Sequence, residues 1–346
     1  MAAQKKRLTI KDIAKIAGVS ASTVSNALSG ERHVNKETKK KIFDAVKKYR
    51  YTPNIIARGL SKKKTGIIGI IIPDINNPFY AEVVRGIDEE AKRRDYLPLV
   101  VSTYYDDDVE IAQINKLGSL FVDGYIFVGG TCGFERVLSS ISYMGGFVLV
   151  NRYCRNGNFS SVIVDSEKAI KTGVDHLYTM GHRHIGYVGW RTGETIIPEN
   201  KYRGYLRGLE ENRMTGDRSI IFMAKKIITN QYSYGYNVMA QYLRGCKKPA
   251  FTALICQTDI IALGVMRALQ DKGLSIPEDI SILGYGNLDA AKFSNPAVSS
   301  IDIPKKRMGL AGAAILFDSI SRLRPNNQRV YFKAKIIERE SIARVT

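Results

Sequence analysis

The spacing of apolar residues changes character once along this chain, near residue 65. Before that point apolar residues recur three and four positions apart in short runs, which is the period of an amphipathic helix. After it, continuous apolar runs such as GIIGIII and GYIFVGG alternate with helical patterns. The change predicts a small helical domain joined to a larger domain of alternating strands and helices.

The first 50 residues predict three short helices. Thr9 with Asp12 three positions later is typical of a capping box, and the helical pattern that follows stops at Gly18. Ser20 is placed to cap a second helix, and Asn35 a third. Two short helices joined by a tight turn with glycine form a helix-turn-helix, whose second helix enters the major groove of DNA.

Two series of strand patterns make up the rest of the chain. The first series is GIIGIII, LPLVVST, GYIFVGG and GFVLVNR, and the second is HIGYVGW, SIIFMA, ALICQT and ISILGYG. Helical patterns separate the strands, for example over 79–93 and 109–117. This alternation predicts two parallel sheets with helices on both faces. Loops at the carboxyl ends of such strands are expected to line a ligand-binding crevice.

The net charge of +19 is concentrated at the amino-terminal end. Residues 1–64 hold 17 Lys and Arg against four Asp and Glu, whereas the other 282 residues hold 35 against 29. A local basic excess attracts polyanions. We expect double-stranded DNA rather than a membrane as the partner, because no helix with a broad apolar face accompanies the charge.

Several other classes of protein are disfavoured. No apolar stretch near the front approaches the roughly 20 residues that span a bilayer, and residues 1–7 lack the apolar region of a signal peptide. We therefore expect a soluble, cytoplasmic protein. Four widely spaced cysteines without CxxC spacing favour neither disulfides nor a zinc site. No GxGxxG motif opens a helix and no catalytic spacing stands out, so we expect no metal, no cofactor and no enzyme.

The runs TIKDIAKIAGVSASTVSNALSGERHVNKETKKKI and YTPNIIARGL resemble the DNA-binding head and hinge of the LacI/GalR transcriptional regulators. The resemblance continues through IIPDINNPFYAEVVRGI, DHLYTMGHRHIGYVG, TALICQTDIIALGVMRAL, IPEDISILGYGN and IIERES, and so covers essentially the whole chain. It implies a small all-α helix-turn-helix head with a hinge helix, followed by an α/β two-lobed periplasmic-binding-protein-like core. The implied domains are 1–50 for the head, 51–64 for the hinge helix and linker, and 65–346 for the core. The implied lobes are about 65–164 with 296–326, and about 165–295 with 327–346.

The resemblance assigns DNA contacts to side chains of the head. The base-reading positions are Ala21, Ser22 and Asn26. Many family members have Arg or His at the position of Asn26, and Asn can bond adenine in a bidentate manner whereas Arg favours guanine. Contacts to the DNA backbone are expected from Thr9, Ser20, Thr23, Ser25, Asn35 and Thr38. Each of these six can also serve only as an ordinary helix residue or cap.

In the family, hinge helices of two subunits pair in the minor groove, and each inserts a leucine between base pairs. Leu60 occupies that position here, with Asn54 and Ala57 as neighbours in the same contact. An apolar wedge that unstacks a base step and kinks DNA is a known minor-groove device. The alternative is that Leu60 packs against its own domain.

The resemblance also implies an effector cavity between the lobes. The candidate lining residues are Asn76, Phe79, Tyr80, Asn151, Lys201, Asn230 and Asp259. Asp259 matches an aspartate that takes effector hydroxyls or amines, and helix capping is its alternative role. Lys201 stands where Arg is frequent, and Lys lacks the planar fork that grips hydroxyls or carboxylates. We expect a sugar or a related metabolite as the small-molecule effector.

The expected function is a sequence-specific DNA-binding transcription regulator, a repressor that acts as a homodimer on a pseudo-palindromic operator. Inducer and corepressor logic both remain open, because either follows from differential binding to two arrangements. One alternative gives control to a phosphorylated carrier protein, as in catabolite-control members of the family. Another makes the chain a solute-binding component of transport, which the helix-turn-helix and the missing signal peptide disfavour.

Overall fold

The computed structural model describes residues 8–30, 33–52, 59, 64–130, 134–139, 146–152, 159–191, 196–214, 220–246, 248–322 and 327–345. The chain divides into two compact units, Met1–Thr65 and Gly66–Thr346. We call the first the head and the second the core. No helix of the described ranges combines the length and the apolar character needed to cross a membrane.

The head contains helices α1 (Ile10–Ala17), α2 (Ala21–Ser29) and α3 (Lys36–Tyr49). These confirm the predicted helices and the capping box: the backbone N–H of Thr9 donates to the Asp12 carboxylate at 2.8 Å, and the backbone N–H of Asp12 donates to the Thr9 hydroxyl. Gly18 ends α1 in the left-handed region with φ 66°, which glycine adopts without steric cost. Ile13, Val24 and Ile42 are fully buried between the helices. The turn between α1 and α2 therefore has the geometry that the helix-turn-helix requires.

The strands of the core are β1 (Ile67–Ile72), β2 (Leu97–Ser102), β3 (Gly124–Val128), β4 (Gly146–Val150), β5 (Ser161–Val164), β6 (Ile185–Trp190), β7 (Ile221–Ala224), β8 (Ala253–Cys256), β9 (Ser281–Tyr285), β10 (Ser299–Asp302), β11 (Arg329–Phe332) and β12 (Lys335–Ile337). The helices are α4 (Pro78–Arg93), α5 (Asp107–Ser119), α6 (Phe134–Ser139), α7 (Ser166–Thr179), α8 (Ile196–Glu211), α9 (Gln231–Arg244), α10 (Asp259–Asp271), α11 (Asp289–Lys292) and α12 (Lys305–Arg322).

The described strands of the core form two sheets of six. The first has the order β11-β5-β4-β3-β1-β2 and the second the order β12-β10-β9-β8-β6-β7. Neighbouring strands are parallel, except that β12 runs antiparallel to β10. The central strands β1, β3, β6, β8 and β9 are buried along their whole length, as expected for parallel strands covered on both faces. This confirms the predicted two-lobed α/β core.

The predicted exchange of segments between the lobes needs correction near its last two boundaries. We expected 296–326 in the first lobe and 327–346 in the second. Instead, β10 pairs with β9 of the second sheet, and β11 pairs with β5 of the first. The rest of the two segments lies as expected: helix α12 packs in the first lobe, and β12 pairs in the second sheet. Short strands such as these carry too few residues for their pattern to indicate a pairing partner.

Helices α4 and α12 of the first lobe pack at very short range. A Cβ atom added to Gly86 would overlap the carbonyl oxygen of Lys306, and one added to Gly309 would overlap that of Val83. Small residues at these two positions let the two backbones approach, so the close packing depends on glycine rather than on side-chain interdigitation.

We expect Gly86→Ala to destabilise the core by about 1–3 kcal/mol, because overpacking of a close contact costs energy in this range. The matched control is Gly118→Ala in α5, where the added Cβ would lie 3.4 Å from the Tyr125 hydroxyl oxygen. There the higher helix propensity of alanine should leave stability unchanged or raise it by up to about 1 kcal/mol. Urea denaturation of both variants checks this, and equal midpoints would contradict the close approach.

Candidate functional site

The amino-terminal end of α2 presents a cluster of hydroxyl groups. The Ser20 hydroxyl accepts from the backbone N–H of Thr23 at 3.1 Å, and it lies 2.7 Å from the Ser22 hydroxyl and 2.8 Å from that of Thr23. Ser22 is exposed, whereas Ala21 and Asn26 are half-buried. A helix N-terminus with hydroxyl donors suits an anionic partner such as a phosphate. The base and backbone contacts assigned to these residues stay predictions.

The predicted backbone-contact residues have a structural role in the head as well. Thr9, Ser20 and Asn35 are the N-caps of α1, α2 and α3, and Asn35 accepts from the backbone N–H of Thr38 at 2.7 Å. Ser25 is half-buried on α2. Caps of this kind contribute about 1 kcal/mol each. The hinge candidates Asn54, Ala57 and Leu60 lie outside the described residues.

A cavity lies where the carboxyl ends of the strands of the two lobes face each other. It encloses about 870 Å³ of empty space, part of it open to solvent. From one lobe it is lined by residues that follow β1, β2, β3 and β4, and from the other by the end of β6, by α8 and by residues that follow β7, β8, β9 and β10. Its described lining is mainly apolar and aromatic, with a few polar groups, as is typical of small-molecule sites.

Four of the seven predicted effector residues line this cavity, namely Phe79, Tyr80, Asn151 and Lys201. For two of the others, the lining residue is the next one along the chain. Asn77 lines the cavity in place of Asn76, and Gln231 in place of Asn230. Asn230 instead caps α9 by accepting from the backbone N–H of Ser233 at 3.1 Å. Sequence patterns place loop residues only to within a position or two.

Asp259 does not line the cavity. Its fully buried carboxylate accepts from the Ser300 hydroxyl at 2.6 Å and from the backbone N–H of Leu288 at 2.7 Å. The cap of α10 is Thr258, whose hydroxyl accepts from the backbone N–H of Ile261 at 3.2 Å. The capping role expected for Asp259 is therefore corrected, and its carboxylate lies behind the cavity wall. Burial raises its pKa, and it acts on the cavity through Leu288, which is part of the wall.

Lys201 is the one Lys or Arg among the described lining residues, and it is only 7% exposed. Its amine donates to the backbone carbonyl of Gln257 at 2.9 Å and lies 3.6 Å from the centre of the Tyr285 ring. In the described part of the chain, no carboxylate lies within ion-pair distance of this amine. Burial lowers the pKa of Lys201 to about 7, and the charge of Asp259 acts in the opposite direction.

The wall contributed by the first lobe rests on an ion pair that the sequence reasoning missed. Arg152 directly follows Asn151 and pairs with Glu110 of α5, and both side chains are almost completely buried. The guanidinium packs against Gly130, where an added Cβ would collide with it. In the sequence, the signal for this ion pair is a single charged residue, Arg152, close behind the buried strand β4. Burial also raises the pKa of Tyr80, whose hydroxyl interacts with that of Tyr105.

Comparison with known proteins identifies the chain. A model of bacterial regulatory proteins of the lacI family matches residues 9–54, and a model of a periplasmic binding protein-like domain matches residues 174–342. Catabolite control protein A of Priestia megaterium is 32% identical over 336 residues, covering 96% of this chain and 99% of that protein. The chain belongs to the LacI family of bacterial transcription regulators.

Other LacI-family members agree with this assignment. The transcriptional repressor PurR of Yersinia enterocolitica is 30% identical over 341 residues, covering 97% of both chains. A solved structure of the Lac repressor dimer bound to operator and the anti-inducer ONPF has a TM-score of 0.84, with 21% identity over 98% of this chain and 100% of that chain. That likeness shows the fold. Regulators of this family bind operator DNA and small-molecule effectors and act as dimers, and they are not enzymes.

The buried amine of Lys201 predicts a pH dependence of stability. Between about pH 7 and pH 10 the unfolded chain keeps the proton on this lysine whereas the folded chain releases it. The contribution of Lys201 to the free energy of unfolding should therefore rise with pH, by at most about 1.4 kcal/mol per pH unit. Urea denaturation across this range should show it as a rise in the stability of the native protein relative to that of Lys201→Met. A Lys292→Met variant, changed at an exposed lysine of the same lobe, should behave as the native protein.

Proposed function

We propose that this LacI-family chain is a dimeric repressor of a pseudo-palindromic operator, and that a small molecule in the cavity between the lobes sets its affinity for that operator. The observation that carries the proposal is the cavity itself, which takes its lining from the strand ends of both lobes. A ligand that contacts both lobes binds their alternative arrangements with different affinities. Such a difference is what couples a ligand to an equilibrium elsewhere in the protein.

Lys305 supports this coupling, because it links the cavity wall to a helix of the other lobe. Its buried amine donates to the backbone carbonyl of Gly286 and lies 3.6 Å from the Glu82 carboxylate of α4. Gly286 lines the cavity. A ligand that moves the wall at Gly286 therefore moves Lys305 with it, and through Lys305 changes the contact with α4.

The head is proposed to read the operator through the start of α2. Ala21, Ser22 and Asn26 are the base-reading candidates, and the amide of Asn26 suits adenine. The cluster of exposed lysines on α3 and the capped helix ends are suited to phosphates, which fix the position of the head on DNA without reading sequence. In the hinge, Leu60 with Asn54 and Ala57 is proposed to enter the minor groove at the operator centre.

The edge of the first sheet at β2 is proposed as part of the dimer surface. Leu97 and Val100 on this edge strand are 49% and 38% exposed, and the strand LPLVVS carries no charge. The opposite edge strand, β11, begins with Arg329 and is followed by Lys333. Charged residues protect an edge strand from association, whereas an uncharged apolar edge strand tends to associate with another chain.

A second candidate mode of control uses a phosphorylated carrier protein instead of a small molecule. What favours it is the 32% identity with a relative named catabolite control protein A. Binding of operator DNA in the presence of a phosphorylated carrier protein, without any small molecule, distinguishes the two modes.

Operator selection from random DNA tests the DNA-binding part of the proposal. We expect the native protein to select a sequence with two-fold symmetry. Asn26→Arg should change the preferred base at one position in each half-site, because Arg favours guanine over adenine, at a discrimination of about 1–3 kcal/mol. Lys40→Arg on α3 is the control, and it should keep the native sequence. An unchanged selected sequence for Asn26→Arg would remove Asn26 from base reading, and no selected sequence at all would overturn the proposed function.

Sedimentation tests the dimer surface. Leu97→Asp should shift the protein from dimer to monomer and weaken operator binding, because a buried unpaired carboxylate is costly in an interface. Tyr331→Asp changes a residue 62% exposed at the opposite edge of the same sheet and should remain dimeric. The reverse outcome would place the dimer surface at the edge formed by β11.

A further inference from the structure

The core buries three Lys or Arg side chains among its described residues, and they differ in whether a carboxylate lies nearby. Arg152, Lys201 and Lys305 are 4%, 7% and 4% exposed. Arg152 pairs with Glu110, and Lys305 has the carboxylate of Glu82 at 3.6 Å. Among the described residues, the Lys201 amine has a carbonyl and an aromatic ring beside it and no carboxylate within ion-pair distance. A buried charge without a counter-ion is costly. The other two cations have a carboxylate nearby, so an anionic ligand at Lys201 would supply what this ammonium lacks.

Three amide side chains of the cavity lining have their oxygen atoms occupied by the protein. The oxygen of Asn77 accepts from the backbone N–H of Phe79 at 3.0 Å, and that of Gln257 accepts from the backbone N–H of Trp190 at 2.6 Å. The oxygen of Gln231 accepts from the hydroxyl of Thr258 at 2.7 Å. Each of these oxygen atoms therefore has one of its two acceptor positions used within the protein, whereas an amide NH₂ group offers two donors.

No Asp or Glu belongs to the lining formed by the described residues. The apolar and aromatic part of the lining comes from Phe79, Tyr80, Tyr105, Trp190, Ile197, Pro198, Ile227, Ile260, Tyr285, Leu288 and Ile303, and Asn151 and Thr258 are further polar lining residues. A neutral sugar carries many hydroxyl groups, each of which both donates and accepts. The lining formed by the described residues offers these hydroxyl groups amide, hydroxyl and backbone oxygen atoms as acceptors, but no carboxylate.

We propose that the ligand of this cavity is a small organic anion, a carboxylate or a phosphate monoester on an apolar or aromatic body, whose acid group binds the Lys201 ammonium and whose body lies against the aromatic walls. The amide NH₂ groups donate to its remaining oxygen atoms. This inference rests on the proposed function and names the class of effector for the same cavity. It replaces the sugar expected from the sequence.

The charge state of Lys201 adds a second signature to this binding. The titratable side chains that act on the amine are Tyr285, whose ring lies beside it, and Asp259, whose carboxylate opposes the loss of the proton. Since the pKa of the unliganded lysine is about 7, anion affinity should be greatest below pH 7. Above it, affinity should fall by up to about tenfold per pH unit.

Calorimetric titration of the full chain at pH 6.5 tests the proposal with paired probes. The anions are phenylacetate, indole-3-acetate, hexanoate and phenyl phosphate, their neutral partners are phenylacetamide, indole-3-acetamide, hexanamide and phenol, and the sugars are glucose, ribose and cellobiose. We expect at least one anion to bind on the order of 10- to 100-fold more tightly than its neutral partner, as a charge-assisted hydrogen bond provides. A carboxylate and a phosphate preference are told apart by which pair shows the difference.

Variants decide whether Lys201 is responsible. Lys201→Met should remove the preference for the anion over its neutral partner, and Lys201→Arg should keep it, while Lys292→Met leaves it unchanged. Two outcomes overturn the proposal: a sugar that binds more tightly than every anion, or an anion preference that survives in Lys201→Met. Gel-shift titration of the selected operator with the same compounds distinguishes a failure of the proposed effector class from a failure of the proposed function. A sugar that changes operator affinity would overturn the anion and leave the proposed function standing, whereas a protein that selects no operator would overturn the proposed function alone.

Discussion

The loop over residues 286–288 is held by a network of buried polar groups, and both the cavity and the joining of the lobes depend on it. Asp259 accepts from Leu288 and Ser300, the Ser300 hydroxyl accepts from the backbone N–H of Asn287 at 2.9 Å, and the Asn287 amide donates to Asp302 at 3.0 Å. The network joins the loop after β9 to β10, the strand that precedes a crossing between lobes. A fully satisfied network in a low-dielectric interior gives one arrangement rather than several. The wall of the cavity is therefore fixed relative to the crossing segment.

Burial of charge has three different solutions in this core. Arg152 and Glu110 neutralise each other behind the wall of the first lobe, and Lys305 joins a carboxylate of one lobe to carbonyl groups of the other. Asp259 is buried with hydrogen-bond donors in place of an ion pair. Against these three, Lys201 stands out because its surroundings solvate an ammonium ion only in part. Function is concentrated where the compensation is incomplete, since a ligand can supply what the protein does not.

Many elements of the fold could be predicted because they depend on local rules. Thr9, Ser20 and Asn35 cap the helices where their spacing indicated, since capping involves only residues within three positions. The apolar runs became buried parallel strands for a similarly local reason. The assignment of β10 and β11 to lobes was wrong, because strand pairing is a contact between distant residues and local motifs do not report it. In the cavity, Phe79, Tyr80, Asn151 and Lys201 were found from motif positions, whereas Gln231 and Gln257 were missed. Arg152, which lies behind the wall, was missed as well.

The sequence by itself determined the domain order, the helix-turn-helix and the two series of strands and helices, because helix caps, hydrophobic periodicity and charge concentration are all readable along one dimension. The family was indicated separately, by the resemblance of its motifs to those of known regulators. Only the tertiary structure decided what the cavity offers a ligand. What an amide offers a ligand depends on which donors already bond its oxygen, and for Gln231 and Gln257 these donors come from distant parts of the chain. Whether a buried lysine is neutralised depends on which carboxylates fold to within a few ångströms of it. Both are properties of three-dimensional neighbourhood, and the motif around Lys201 contains neither.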